Sequence, residues 1–307
     1  MQEHLPDDFD RLTRGAFDLH VHGQPDLSRA LPNRGDDVAV ARLAVEYGLR
    51  GWVLKSHVWP TTDRAAAIQR EFDPAAFAVL GSITLNPPTG GLSPASVELA
   101  AAHGARMVFL PTWGAAAELA RDGYVSRLLR SIVGGFDAFA SSAALTVLDG
   151  DGRLTPDAAS IVAICADRGL TIGTGHLSLR ESSALVERAA ELGARIVVNH
   201  PLHYAESVGD LVELAGLGAF IEFSAAPLLH PDAASGVRAV HAGIAELGSG
   251  QVVLTSDAFS RWAPAAPEAL RILLEQLAYL GCTADELAAM AVRNPARAIG
   301  IAAPDTP

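Results

Sequence analysis

The sequence predicts an α/β fold, a (β/α)8 barrel of the TIM type, from two observations. Short runs rich in Val, Ile, Leu and Phe alternate with Ala-rich helical stretches, and this alternation is typical of a parallel sheet covered by helices. Eight such runs occur, which is the number that closes a barrel. The predicted strands cover residues 17–22, 51–57, 78–85, 106–110, 171–176, 195–199, 219–223 and 252–256.

The segments between these strands carry the signals that start and end helices. Thr155 precedes a proline, as an N-cap precedes proline in the first helical turn. Ser178 or Arg180 is expected to open the next helix, and Thr283 has Glu286 three residues later, as in a capping box. The C-terminal caps are expected at the glycines in positions 48, 169, 193 and 281.

One connection, residues 112–170, is much longer than the others. It contains a helical stretch near residues 124–133 and a turn at residues 150–152. We interpret the part around residues 113–157 as an inserted segment with a short hairpin over the barrel, and the whole chain, residues 1–307, as a single domain. In a competing interpretation, residues 145–149 form a barrel strand and the strand count shifts.

Composition excludes several classes of partner. Half of the residues are hydrophobic, and the net charge of −12 argues against nonspecific binding to nucleic acid or to an anionic membrane. No apolar run reaches the ~20 residues that span a membrane, and the polar N-terminus lacks a signal-peptide core. The two cysteines are expected to be reduced. These features predict a cytoplasmic protein that acts on a small-molecule substrate, and they leave homo-oligomerisation open.

Polar side chains follow the predicted strands at the edge where barrel enzymes keep their catalytic groups. His20 and His22 are two residues apart, so on a strand they project from one face, and Lys55 and His57 repeat that spacing. Later strands are followed by His176, His200 and Asp257. Each alone has an ordinary alternative, a hydrogen-bonded polar residue or a helix cap. Together they predict a site for one or two divalent metal ions, with Zn²⁺ expected first and Mn or Fe as alternatives.

These residues resemble the amidohydrolase superfamily, and the resemblance spans nearly the whole chain. Residues 53–57 and 174–178 are most similar to a bacterial branch described only as amidohydrolase-related. The resemblance is carried by the C-terminal segment 293–300 and by the residues after four strands: His20-Val21-His22, His176, His200 and Asp257. It implies a metal-dependent enzyme on a TIM barrel.

The resemblance also implies roles for individual residues. His20 and His22 would bind the more buried metal together with Asp257, which would take a proton from the metal-bound water. His176 and His200 would bind a second metal. In a mononuclear site, one of those two would bind the ion and the other would contact the substrate. Asp257 and His200 are therefore candidate catalytic residues.

Lys55 and His57 depart from the binuclear pattern of that superfamily. There a carbamylated lysine or a glutamate usually follows the fourth strand, whereas the run 106–110 is followed by Pro-Thr-Trp. Three interpretations of Lys55 stay open: a carbamylated lysine that bridges two metals, an ammonium group that holds a substrate oxyanion and so acts in catalysis, or a surface side chain. His57 is a further candidate metal ligand, which the commonest pattern lacks.

Six more residues are candidates for contacts with substrate: Asn199, His203, Glu222, Arg29, Arg261 and Trp59. Glu222 lies in an apolar run, where an unpaired carboxylate is costly, so it can instead orient a ligand histidine or form an ion pair. Asn199 can instead cap a turn. For the loop residues, solvent exposure or packing on helices is the alternative.

The function predicted from these residues is a metal-dependent hydrolase that directs an activated water at the carbonyl of an amide, cyclic amide or lactone. Phosphoester hydrolysis and nonoxidative decarboxylation remain as alternatives on the same barrel, because a fold does not fix a reaction. From another class, a catalytically silent metal- or ligand-binding protein remains, although such a protein has no need of a base such as Asp257.

Overall fold

The strands form the predicted barrel. A computed structural model describes residues 11–29, 35–205, 207–230, 233, 235–259 and 263–302. Each strand pairs in parallel with the next one along the chain, from the first to the eighth, so the predicted (β/α)8 fold class is confirmed. The strands are β1 Phe17–His22, β2 Gly51–Lys55, β3 Ala78–Thr84, β4 Ala105–Phe109, β5 Thr171–Gly173, β6 Arg195–Val198, β7 Phe220–Ser224 and β8 Val252–Thr255.

Helices lie between the strands and after the last one. In the described ranges they are α1 Asp37–Glu46, α2 Thr62–Gln69, α3 Pro94–Ala102, α4 Ala116–Ala120, α5 Tyr124–Ile132, α6 Phe136–Ala140, α7 Pro156–Arg168, α8 Leu179–Leu192, α9 Val208–Gly216, α10 Ala225–Leu228, α11 Val237–Leu247, α12 Ala266–Leu280, α13 Ala284–Ala288 and α14 Asn294–Ala298. Short 3₁₀ turns occupy Pro87–Thr89, Ser141–Ala143, Pro201–His203 and Ser249–Gln251, and one π-helical turn occupies Ala289–Arg293.

The capping signals form as predicted. The Thr155 side chain accepts a hydrogen bond from a backbone N–H in the first turn of α7. Ser178, and not Arg180, opens α8, where it forms a reciprocal capping box with Glu181. Thr283 opens α13 with a second capping box. Left-handed C-caps lie at Gly169, Gly193 and Gly281, whereas the C-cap of α1 is Tyr47 and the left-handed Gly48 follows it. The residues that cap these helix ends are therefore close to them in the sequence.

The long connection between β4 and β5 is an added helical segment. It carries α4, α5 and α6, and Leu145 makes only an isolated bridge to Ala115. The interpretation of residues 145–149 as a barrel strand is therefore wrong, and the expected hairpin is reduced to a single bridge between Leu148 and Leu154. The segment has a small apolar cluster of its own, formed by Trp113, Val125, Leu129, Phe136 and Ala140.

Hydrogen bonds at the carboxyl end of β1 join it to the end of β8. The backbone N–H of Asp257 donates to the carbonyl of His20 at 3.0 Å. The Asp18 carboxylate accepts the backbone N–H of Ser256 at 3.2 Å and that of His20 at 3.0 Å. Burial raises the pKa of Asp18 to about 7. This seam fixes Asp257 directly against the histidines of β1.

The structure bears on two expectations, that the cysteines are reduced and that no segment spans a membrane. Cys165 and Cys282 are both free thiols, and burial raises the pKa of the Cys165 thiol to about 12, so it is unreactive. Among the helices of the described ranges, none combines the length and the apolar character needed to cross a bilayer.

Replacing Gly175 by alanine should destabilise the fold more than a left-handed φ alone explains. Gly175 has φ +62°, and an added Cβ would lie 2.4 Å from the carbonyl oxygen of Leu110. We expect Gly175→Ala to lose ~1–2 kcal/mol for the left-handed backbone and further free energy for displaced strand backbone. Urea unfolding measures the loss.

The matched control is Gly193→Ala, because Gly193 has φ +66° and no atom within 4 Å of an added Cβ. It should lose only the cost of the backbone conformation. Equal losses for the two variants would contradict the close packing of β5 against the segment that follows β4.

Candidate metal centre

Seven residues singled out in the sequence meet at the mouth of the barrel. All are buried: His20, His22, Lys55, His57, His176, His200 and Asp257. Asp257 lies next to three of the histidines. Its Oδ1 lies 2.9 Å from Nε2 of His22 and 3.1 Å from Nε2 of His20, and its Oδ2 lies 3.8 Å from Nε2 of His200. The strand-end pattern thus corresponds to one cluster in space.

Two of these residues have backbone conformations that are unusual for residues other than glycine. His200 and Asp257 both have φ +48°, in the left-handed region. Such conformations cost of order 1–3 kcal/mol each and persist only where surrounding contacts hold them. Each residue lies two positions beyond the end of a strand, and the turn in the backbone brings their side chains together over the barrel.

Lys55 lies inside the cluster. It is the only lysine of the sequence, and it is 1% exposed, so the interpretation as a surface side chain is wrong. Its Nζ is 2.7 Å from Nε2 of His20 and 4.7 Å from the centre of the Phe109 ring. Burial lowers the pKa of the Lys55 amine despite the nearby carboxylates of Asp257 and Glu222.

Carboxylates lie behind the histidines, on the Nδ1 side of the rings. Glu222 contacts Nδ1 of His20 at 2.8 Å. Asp26 contacts Nδ1 of His22 at 2.8 Å and also Nδ1 of His57. A histidine that donates Nδ1–H to a carboxylate keeps the Nε2 lone pair for a metal or a substrate. These three rings therefore have their Nε2 atoms turned away from Glu222 and Asp26, and the Nε2 atoms of His20 and His22 face Asp257.

His176 has a weaker contact of the same kind. Its Nδ1 is 3.3 Å from Oε2 of Glu118, an ion-pair distance without good hydrogen-bond geometry, and this nitrogen has no hydrogen-bond partner among the described residues. Burial alone would raise the pKa of Glu118, but His176 and Arg121 outweigh it and lower the pKa to about 2. Glu118 is therefore ionised and lies against the Nδ1 side of the His176 ring.

Glu222 and Asn199 form a buried hydrogen-bond network behind His20. Glu222 accepts hydrogen bonds from Oγ1 of Thr255 at 2.5 Å and from Nδ2 of Asn199, in addition to its contact with His20. The Oδ1 atom of Asn199 accepts the backbone N–H of Gly175 at 2.9 Å. Both polar atoms of the Asn199 amide thus have a partner within the protein, and a contact of Asn199 with substrate stays a prediction.

Charge around Asp257 keeps it ionised. Burial alone would raise the pKa of this carboxyl, but His20, His22 and His200 together hold it well below its usual range. Burial also lowers the pKa of His200, which favours the neutral imidazole that metals bind. The pKa values of His20 and His57 are lowered by burial as well, whereas Asp26 and Asp257 raise the pKa of His22 despite its burial.

A cavity of about 270 Å³ opens above the cluster. It is reached by His57, His176, His200 and Asp257, and by His203, which stacks on His200 with ring centres 5.5 Å apart. Burial lowers the pKa of His203 to about 4. The opposite wall consists mainly of residues from the inserted segment and from the chain after β7: Glu118, Arg121, Tyr124, Arg127, Pro227 and His230.

Two of the expected substrate residues, Trp59 and Arg29, do not line this cavity. Trp59 is 62% exposed, and with Arg29 it lines a separate cavity of about 280 Å³ on the outer side of Asp26. Their expected contact with substrate at the metal centre is wrong, because the turns after β1 and β2 direct these side chains outward. Arg261 lies outside the described residues.

Two residues of the centre, Asp26 and Glu118, were missed by the sequence reasoning. Asp26 follows His22 by four residues in the turn after β1, and Glu118 stands in a run of alanines in the insertion. A signal existed in each case, since a carboxylate close after a strand-end histidine, or within an apolar stretch, needs a partner. The sequence did not show which partner each one meets.

The donor set fits a divalent metal ion. His20, His200 and Asp257 each offer a ligand atom within 4.8 Å of the other two, and His22, Asp26 and His57 form a second such trio. Imidazole nitrogen and carboxylate oxygen are the donors that Zn²⁺ takes in catalytic sites. His176, whose ring lines the cavity with Glu118 at its Nδ1, is a further candidate ligand.

Removing the charge of Glu222 should destabilise the protein. In Glu222→Gln an amide NH₂ must face Nδ1–H of His20, the amide of Asn199 or the hydroxyl of Thr255. A buried donor left facing a donor costs about 1–3 kcal/mol, which urea unfolding of the metal-free protein measures. The exposed Glu213→Gln is the control, and an equally small effect of both changes would contradict the network.

Solved structures share this fold. A probable dipeptidase from Pseudomonas aeruginosa aligns with a TM-score of 0.61 at 14% identity, covering 96% of this chain and 96% of that one. A lactonase from Listeria monocytogenes aligns at 0.57, 13% identity and 94% and 95% coverage. An amidohydrolase from Pseudomonas aeruginosa aligns at 0.56, 14% identity and 96% and 98% coverage. The resemblance to the amidohydrolase superfamily is thus confirmed at the level of the fold.

Sequence comparison identifies the family. No curated protein matches the chain by sequence. A family model described as a family of unknown function (DUF6282) matches residues 15–222, more than half of the chain, and the chain belongs to this family.

Proposed function

We propose that the chain is a metal-dependent hydrolase that acts on the carbonyl of an amide, cyclic amide or lactone. One observation carries the proposal. An ionised carboxylate, Asp257, stands among His20, His22 and His200 at the floor of a cavity that admits a small molecule. A silent binding site has no need of an ionised base at that position.

The metal is held by residues on both sides of the barrel mouth. His20, His22 and Asp257 hold it on the β1–β8 side, and His200 and His176 face them from β6 and β5. A bound divalent ion, Zn²⁺ by its donor set, supplies Lewis acidity for the carbonyl and lowers the pKa of water. Glu222 fixes the ring of His20, so this part of the site is organised before any substrate enters.

Asp257 is the general base in this proposal. Its Oδ1 faces the two β1 histidines, and its Oδ2 is turned toward His200 and the cavity. The backbone hydrogen bond to the carbonyl of His20 keeps the carboxylate in place. An ionised carboxylate so held can take a proton from the attacking water and deliver it to the leaving group.

Lys55 is carbamylated in this proposal. A free ammonium group 2.7 Å from Nε2 of His20 would repel a cation bound there. A carbamate instead carries a negative charge and adds oxygen ligands. It would replace the carbamylated lysine or glutamate that this sequence lacks after β4. Every other basic side chain apart from histidine is an arginine, so the one primary side-chain amine stands where this chemistry needs it.

The walls of the cavity support a substrate with a flat or apolar body and an anionic group. Tyr124 and Phe259 line it with ring centres 5.8 Å apart. Arg121 and Arg127 line the wall contributed by the insertion. Aromatic faces pack on flat apolar groups, and guanidinium groups bind carboxylates.

Asp257→Asn should abolish turnover while the purified protein remains folded. Loss of the base is expected to lower kcat by roughly 10²–10⁴ on whichever amide or lactone of a broad panel the wild type hydrolyses. The exposed Asp63→Asn serves as the control and should keep full activity. Chelator treatment should remove activity from the wild type, and added Zn²⁺ should restore it.

Mass spectrometry of the products decides between the reactions. A gain of water at a carbonyl supports the proposal. Release of carbon dioxide would contradict the proposal and indicate decarboxylation. Release of phosphate would contradict it and indicate phosphoester hydrolysis. Tight binding without turnover of any panel member would replace it with a binding function.

Carbamylation of Lys55 can be detected directly by NMR, because the chain has a single lysine. Metal-loaded protein prepared in ¹³C-bicarbonate should show one carbamate carbon signal by NMR, and Lys55→Met should lack it. Absence of the signal from the metal-loaded wild type would contradict carbamylation, and the ammonium role toward a substrate oxyanion would then stand.

A further inference from the structure

Asp26 makes more contacts with the centre than its position in a turn suggests. Its side chain is 4% exposed. Its Oδ2 meets Nδ1 of His22 at 2.8 Å and also Nδ1 of His57. Its Oδ1 accepts the hydroxyl of Ser56 at 2.7 Å and the backbone N–H of His57 at 2.9 Å. One carboxylate therefore joins the β1 histidine to a histidine two residues beyond β2.

The two rings are parallel as a consequence. His22 and His57 stack with centres 4.4 Å apart and planes inclined by 15°. Because both Nδ1 atoms meet the same oxygen, both Nε2 atoms point the other way. That of His22 lies 2.9 Å from Oδ1 of Asp257, and His57 lines the cavity. The pair therefore presents two nitrogen donors side by side.

The backbone of His57 is fixed as firmly as its ring. Its carbonyl accepts hydrogen bonds from Nδ2 of Asn86 at 2.8 Å and from Nε1 of Trp113 at 2.9 Å, both buried. The amide and the imidazole are thus both tied to Asp26, and the carbonyl is tied to Asn86 and Trp113. A side chain held at three points loses little freedom on binding a ligand, which is the preorganisation that a metal ligand requires.

We propose that Asp26 is a positioning residue that holds His22 and His57 with Nε2 toward the centre, and that His57 is thereby a metal ligand on the β2 side of the site. Oδ2 lies between two Nδ1–H groups, so it accepts protons in hydrogen bonds and is not itself a ligand. The inference rests on the proposed metal dependence and adds to it a donor that neither the fold nor the family assigns.

The neighbourhood of β4 explains why a donor from β2 is needed. The strand ends at Phe109, whose ring packs against His20 with centres 5.3 Å apart. Beyond it, the Thr112 hydroxyl accepts Nδ2–H of Asn86 at 2.7 Å. These side chains are apolar or paired with each other. His57 and Lys55 supply metal-ligand atoms on the side of the centre where the end of β4 supplies none.

Metal binding by the full-length, metal-stripped protein tests the proposal without any substrate. Zn²⁺ affinity is measured by competition with a chromophoric chelator, and the absorption spectrum of the Co²⁺ form reports the ligand set. Asp26→Asn and His57→Gln should each weaken Zn²⁺ binding by roughly 10–100-fold and should change the Co²⁺ spectrum. In the double variant the losses should be less than additive, because Asp26 acts partly through His57.

Asp37→Asn is the matched control. Asp37 accepts the backbone N–H of Gln24 at 2.6 Å and pairs with Arg64, close to Asp26 in space and without a histidine contact in the described chain. Its metal affinity and Co²⁺ spectrum should match the wild type. Thermal unfolding of the metal-free proteins separates a loss of metal affinity from a loss of fold.

Two results would overturn the proposal. One is His57→Gln with wild-type affinity and an unchanged Co²⁺ spectrum. The other is Asp26→Asn that lowers only the unfolding temperature, which would mark a structural role. If Asp26→Asn fails to fold, His57→Gln still decides. A chain that shows the expected metal losses but hydrolyses nothing would sustain this inference and contradict the proposed function, so the two can fail separately.

Discussion

Ionised carboxylates matched to histidine rings are the interaction on which the centre depends. Asp26, Glu222 and Asp257 are charged groups removed from water, and such groups are tolerated inside a protein only when donors surround them. For Asp26 and Glu222 those donors include imidazole Nδ1–H groups. The pairing that makes burial of these carboxylates tolerable also turns the Nε2 atoms of His20 and His22 toward Asp257 at the centre, so stability and ligand geometry have one cause.

The strands of the barrel place the carboxylates and the histidines within contact distance of one another. The seam between β8 and β1 places Asp257 on the β1 histidines, and the adjacent β2 brings Lys55 and His57 beside them. His200 and its partners face this group from the other side of the mouth. The inserted segment then adds Glu118 behind His176 and closes the wall above. Scaffold strands thus hold the metal donors, while the added segment shapes the space for a substrate.

Much of this architecture could be predicted from the sequence, because strands, helix caps and strand-end histidines are local patterns. The apolar runs gave all eight strands, and the spacing of His20 and His22 indicated a shared face. Asp26 and Glu118 were missed, because Asp26 meets His57 across 31 residues and Glu118 meets His176 across 58, and such contacts follow from loop paths that no local pattern encodes. Trp59 and Arg29 were misplaced for the same reason, since the turns that carry them lead outward.

A crystal structure of the zinc-loaded protein, with anomalous diffraction recorded on both sides of the zinc absorption edge, tests the central claim most directly. The account predicts an anomalous peak bounded by Nε2 of His20, Nε2 of His22 and the Asp257 carboxylate, and it predicts zinc coordination by Nε2 of His57 with Asp26 at its Nδ1. The absence of anomalous density among these atoms, or a zinc ion bound only elsewhere on the protein, would contradict it.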